Sequence, residues 1–202
     1  MKLWVLAILL GLLYVVVNIY GFLKPAAFGA AARKFPRNTP VGYPLMVAAT
    51  VWFIWNVYQE PIADFAAIKP YLCAFFAAIG VGACLFVKDY LPVRGLAVLL
   101  LLMAKLMVDT ARWVDTPWRL VITTWAYVWI IAGMWLTISP WRLRDLVNWV
   151  TANEARIRRI AAVRAGFGLL VLLLGLTVFR AAEARASQSS QQPMQMSGSG
   201  AK

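Results

Sequence analysis

Six apolar stretches, each long enough to cross a lipid bilayer, constrain this sequence more than any other feature. A transmembrane helix needs about 20 predominantly apolar residues, because each residue rises about 1.5 Å and the hydrocarbon core is about 30 Å thick. The stretches cover residues 3–23, 41–58, 70–87, 91–108, 120–138 and 160–179. We therefore predict an all-α integral membrane protein, a bundle of about six transmembrane helices that occupies residues 1–180.

The composition agrees with a membrane environment. Hydrophobic residues make up 62% of the chain, and only 14% of residues are charged, whereas soluble domains carry about 25% charged residues. Six spans use most of the 202 residues, so we expect no separate catalytic domain.

The fourth stretch is interrupted by Lys105. The positions of the basic connecting loops indicate whether this stretch crosses the membrane. With six spans, the basic connection near Arg33 and the one near Arg156 lie on the same side of the membrane, as the excess of Lys and Arg in cytoplasmic loops requires. Six spans then place both termini on the non-cytoplasmic side. The stretch after Pro140 is similar in character to small bacterial inner-membrane proteins, and we expect that location.

The segment after the fifth stretch predicts a helix on the membrane surface. Ser139 and Pro140 are typical of a helix start, as N-cap and first helical residue. Apolar residues then recur at helical spacing opposite polar ones, which predicts an amphipathic interfacial helix over residues 140–159 with arginines near anionic headgroups. Residues 181–202 are rich in Ser, Gln and Gly and predict a flexible tail unless a partner holds them.

Charged residues near two span ends are the candidates for a polar or lipid-headgroup site. They are Lys105, Asp109, Arg112 and Arg164, and the first three belong to a run that continues with Asp115 and Arg119. The run has i,i+3 and i,i+4 spacings that predict ion pairs along a helix, either as a solvated span end or as an ion pathway. Arg164 near the start of the sixth span is interpreted as snorkelling to the interface, or as holding a phosphate or a partner's carboxylate.

Small residues at four-residue spacing predict close packing between helices, because they let backbones approach in lipid. The candidates are Ala74, Ala78 and Gly82 in the third span, and Ala162 and Gly166 in the sixth. They pack either within this chain, which we favour, or against another subunit. Trp125, Trp129 and Gly133 share one face of the fifth span, which we expect to face lipid rather than to dock a partner.

The absence of recognisable site motifs shapes the functional hypothesis. The chain has no histidine, the usual axial ligand of haem and the commonest zinc ligand, and it has no glycine-rich phosphate loop or Cys-x-x-Cys pair. We expect no metal, no cofactor and no enzyme activity. The leading hypothesis is a non-catalytic subunit or scaffold of a larger membrane complex, and the alternative is a small transporter for an anionic or zwitterionic solute or lipid. Expected partners are anionic lipid headgroups at the cytoplasmic face and other integral-membrane subunits or further copies of the chain, but not nucleic acid.

Overall fold

The protein is a bundle of α-helices. A computed structural model describes residues 2–60 and 68–185. The helices in these residues are α1 (Leu3–Leu23), α2 (Pro25–Lys34), α3 (Thr39–Gln59), α4 (Lys69–Phe86), α5 (Leu91–Ala111), α6 (Arg119–Ile138), α7 (Trp141–Val150) and α8 (Glu154–Leu174). A 3-10 turn at Phe35–Arg37 follows α2, and a π turn at Gly175–Phe179 follows α8. The predicted all-α fold class is confirmed.

Six of the helices are long and apolar enough to cross a membrane, as the sequence predicts. The fourth, α5, continues through Lys105 for 21 residues. The sixth is longer than predicted, because the helix that begins as α8 extends through the π turn to Arg185, over 32 residues. At about 1.5 Å per residue it exceeds the hydrocarbon thickness. The tail predicted from residue 181 therefore starts with helix, and residues 186–202 lie outside the described residues.

Two helix pairs build the core, α1 with α8 and α5 with α6. Buried side chains from all four helices meet in one apolar cluster that includes Leu6, Met107, Ile122 and Val171. Helix α3 packs on the outer side of α5, and α4 packs along α3 with no comparable contact to another described helix. Helix α4 is therefore the outermost span.

The α1–α8 pair is antiparallel and very close at its crossing. A Cβ atom added to Gly11 would lie 2.8 Å from the backbone nitrogen of Leu172 and 2.9 Å from the carbonyl oxygen of Gly168. Only glycine fits such a contact, because any side chain would meet backbone atoms that cannot move aside. At the far end of the pair, Leu3 donates its backbone N–H to Glu183 Oε1 at 2.8 Å.

The sequence predicts that Trp125, Trp129 and Gly133 face lipid. This is wrong for Trp125 and Gly133, which are buried. Trp125 is 6% exposed, and its ring meets those of Tyr14, Trp129 and Phe167 edge to face. Gly133 lies against Leu101, where it allows α6 to approach α5. Hydropathy does not separate the two faces of such a helix, because the lipid and the bundle interior are both apolar.

Two short helices, α2 and α7, lie at the same end of the bundle and contact each other. The single interfacial helix predicted over 140–159 is wrong, since α7 ends at Val150. The side chain of Asn153 then accepts a hydrogen bond from the backbone N–H of Ala155 at 2.9 Å and starts α8. Ser139 does not act as the cap of α7, which begins after Pro140 with no side-chain cap. Helix α2 was not predicted, although Pro25 stands at its first position.

Candidate functional site

Basic residues concentrate at the end of the bundle that carries α2 and α7, called the basic end below. Three connections meet there: 24–38, 87–90 with the start of α5, and 139–159. The Lys and Arg residues in them are Lys24, Arg33, Lys34, Arg37, Lys88, Arg94, Arg142, Arg144, Arg156, Arg158 and Arg159, and the acidic residues are Asp89, Asp145 and Glu154. The net positive charge makes this end attractive to anions.

A polar cavity of about 360 Å³ opens between α2, the 3-10 turn and α7. Its lining consists of Arg33, Pro36, Arg37, Arg144, Asp145 and Asn148. We call it the arginine pocket. The sequence predicts an amphipathic helix in this region, but no local pattern indicates that Arg33 and Arg37 would face Arg144 and Asn148. Those residues are more than 100 positions apart in the chain, and only the packing of α2 on α7 joins them.

Arg144 is held in place by two neighbours. Its Nε and Nη2 atoms donate to Asp145 Oδ1 at 3.2 and 3.1 Å, and its Nη1 lies 3.5 Å from the Tyr90 hydroxyl. The hydrogen bond to Asp145 is the main cause that raises the pKa of Arg144 above its usual value. Like other arginines, it stays charged at physiological pH.

In the charged run at the other end of the bundle, Lys105 and Asp109 form an ion-paired group, and the later residues of the run, all within the described ranges, do not join it. Lys105 Nζ lies 2.9 Å from Asp109 Oδ2, as the i,i+4 spacing predicts, and 3.4 Å from Glu60 Oε1, which the sequence analysis missed. Glu60 directly follows α3, so no local pattern links it to Lys105. Helix α5 ends at Ala111, so the helical spacing does not continue to the later members of the run. Within the described residues, Arg112 makes no ion pair.

An apolar cleft of about 410 Å³ runs between α3, α4 and α5 and ends at Lys105. It exists because α4 packs mainly along α3 and leaves a gap towards α5. The single cation at its end already contacts two carboxylates, Glu60 and Asp109. The cleft therefore offers little positive charge to an anionic solute.

Arg164 lies deeper in the sixth helix than the sequence analysis placed it. Helix α8 begins at Glu154. Arg164 is ten residues further along it, a rise of about 15 Å. Its guanidinium carbon lies 5.8 Å from the centre of the Tyr14 ring. The structure thus places Arg164 against α1 and does not bring it together with Lys105 and Asp109.

The two stripes of small residues do not pack against each other, and the expected internal interface is wrong. Helices α4 and α8 are not a packed pair. A Cβ atom added to Gly82 or Gly166 would meet nothing within 4 Å, while Ala74, Ala78 and Ala162 are exposed. The close approaches inside the bundle use other glycines, such as Gly80 against Thr50. Packing of the stripes against another subunit stays a prediction.

Among residues 2–60 and 68–185, no group of three or more acidic or cysteine side chains is placed to hold a metal ion. Cys73 and Cys84 are both free thiols. No protein-family model, curated protein or solved structure matches this chain.

Proposed function

We propose that this chain is a non-catalytic membrane subunit that binds a transmembrane helix of another protein through the outward face of α4. The observation that carries the proposal is how little of α4 is covered. Of its 18 residues, Gly80 alone is buried within the described part of the chain. The opposite surface carries Ala74 and Ala78, together with Gly82, at four-residue spacing.

The chemistry of this face favours a helix as the partner. In lipid, helix association gains little from burying apolar surface and depends on close packing of backbones. Small residues one turn apart provide a shallow groove for such packing. Bulky exposed residues such as Phe75 and Val81 flank the groove and would pack against the sides of a partner helix.

The transport alternative receives less support from the same molecule. A site for an anionic solute would combine Lys105, Asp109 and Arg164, but Lys105 already contacts two carboxylates, and Arg164 of α8 lies against Tyr14 of α1, away from the other two. The non-catalytic part of the proposal rests on the sequence, which offers no histidine and no recognisable pair of nucleophile and base.

Replacing Ala78 by leucine tests the docking face. The side chain is exposed, so the variant should fold like the wild type, yet the added branch would keep a partner helix from approaching. We expect the wild type to co-purify with a second membrane protein in mild detergent, and Ala78→Leu to lose most of that protein. Val128→Phe, which adds bulk at an exposed site on α6, is the control and should retain it. Recovery of the wild type as a lone monomer would overturn the proposal.

We further propose that the basic end faces the cytoplasm of a bacterial inner membrane, with both termini on the other side. The support is the positive-inside tendency of membrane proteins and the charge of the three connections. A cysteine introduced at Lys2 should react with an impermeant thiol reagent added outside, whereas one introduced at Arg37 should react only after the membrane is opened. The reverse pattern would invert the orientation and leave the six spans intact. Cys73 and Cys84 would be replaced by serine first.

A further inference from the structure

We propose that the arginine pocket binds a phosphate group, supplied by a phospholipid headgroup or by a soluble phosphate ester. This inference concerns the basic end of the bundle and does not depend on the docking face of α4.

The walls of the pocket are held together by a contact between α2 and the turn after α7. Arg33 Nη1 donates to the carbonyl oxygen of Thr151 at 3.2 Å and lies 3.3 Å from its hydroxyl. Thr151 is buried, and its hydroxyl donates to the Val147 carbonyl at 2.8 Å. Gly29 of α2 packs against Thr151 and Ile157. The cavity therefore lies between two helices whose relative position is fixed before a ligand arrives.

The pocket has more positive than negative charge, and part of its hydrogen-bonding capacity is unused. Three arginines face one carboxylate, that of Asp145, which is already bonded to Arg144. Within the described residues, the side chains of Arg37 and Asn148 have no hydrogen-bond or ion-pair partner. An anion with several acceptor oxygens would receive hydrogen bonds from both, and arginine suits phosphate because its donors form a planar fork.

The pocket lies at the level where phospholipid phosphates would be found. Helix α2 begins two residues after the first span ends, and α7 begins three residues after the fifth span ends. Next to the pocket, α7 exposes Leu146 and Trp149, an arrangement typical of a helix at the membrane interface. A phospholipid whose phosphate occupied the pocket would keep its acyl chains beside the spans.

Lipid titration of the purified protein in a nonionic detergent tests the proposal, with native mass spectrometry as the readout. The probes are phosphatidylglycerol and phosphatidylcholine. The variant is Arg37→Gln, which should fold normally because its side chain is exposed and has no partner among the described residues. Arg158→Gln is the matched control, since it removes one exposed arginine from the same end outside the pocket.

We expect wild type to bind phosphatidylglycerol more tightly than phosphatidylcholine, and Arg37→Gln to weaken that binding about tenfold, as for a lost hydrogen bond between charged groups. The control should change it less than about twofold. An equal loss in both variants, or no loss in Arg37→Gln, would overturn the site in favour of a diffuse electrostatic attraction.

Inorganic phosphate distinguishes the two sources of the group. If phosphate at millimolar concentration displaces the lipid, and the effect disappears in Arg37→Gln, the site stands and accepts soluble phosphates. If phosphate has no effect while the lipid result holds, the site stands and requires a phospholipid.

Discussion

Replacing Gly11 by leucine should force α1 and α8 apart and strongly destabilise the bundle. A Cβ atom at this position would already lie 2.8 and 2.9 Å from backbone atoms of Leu172 and Gly168, and leucine adds three further carbons. Overpacking of a tight core typically costs about 1–3 kcal/mol. We expect at least the upper end of that range. The new side chain would meet backbone atoms of α8, which cannot shift unless the whole helix moves. Thermal unfolding in detergent measures the effect.

Gly166→Leu is the control for this prediction. Gly166 belongs to the same helix as Gly168 and is two residues away, but a Cβ atom there meets nothing within 4 Å. The control should unfold at nearly the wild-type temperature. Equal destabilisation by the two changes would contradict the described crossing of α1 and α8.

Trp125→Ala should also cause a large loss of stability. The Trp125 ring makes edge contacts with Phe167 at 5.0 Å, Tyr14 at 5.1 Å and Trp129 at 5.2 Å between ring centres. Each aromatic pair contributes about 1 kcal/mol beyond the burial of its area, and truncation of a buried tryptophan to alanine costs about 3–5 kcal/mol in all. We expect a loss of about 3–5 kcal/mol, measured by denaturant titration of the purified protein. The contacts with Tyr14 and Phe167 join α6 to α1 and α8, so the change should loosen the packing between the two helix pairs.

Trp113→Ala is the matched control, because Trp113 lies after α5 and is 85% exposed. It should change the free energy of unfolding by less than about 0.5 kcal/mol, as for other exposed sites. A similar loss from Trp113→Ala and Trp125→Ala would show that the aromatic cluster contributes no special stability.

The spans could be predicted from the sequence because the bilayer sets their length and composition. Even α5 was correctly predicted despite Lys105, since the charges of distant connections required a sixth crossing. The side of a helix that faces the bundle could not be predicted, as Trp125 and Gly133 show. In water a buried face is apolar and an exposed face polar, but a helix in lipid is apolar all round, so periodicity gives no direction.

Contacts between site residues were predicted only where the residues are close in sequence. Lys105 and Asp109 are four residues apart on one helix, and their ion pair was expected. The contact of Lys105 with Glu60, and the meeting of Arg37 with Asn148, bring together residues from separate helices. No spacing rule covers such pairs. The capping role of Asn153 was local and could have been found, because an Asn followed by Glu at the first helical position is a common helix start.

Photo-crosslinking from α4 in living cells tests the proposed role most directly. A photoreactive amino acid placed at Val81 would lie beside the small-residue groove, and one placed at Val128 on α6 serves as a control of nearly equal exposure, 58% against 56%. The account predicts a covalent adduct between the Val81 probe and a different membrane protein, with little or none from Val128. An adduct with a second copy of the chain, or equal adducts from both positions, would contradict a specific heteromeric partner on α4.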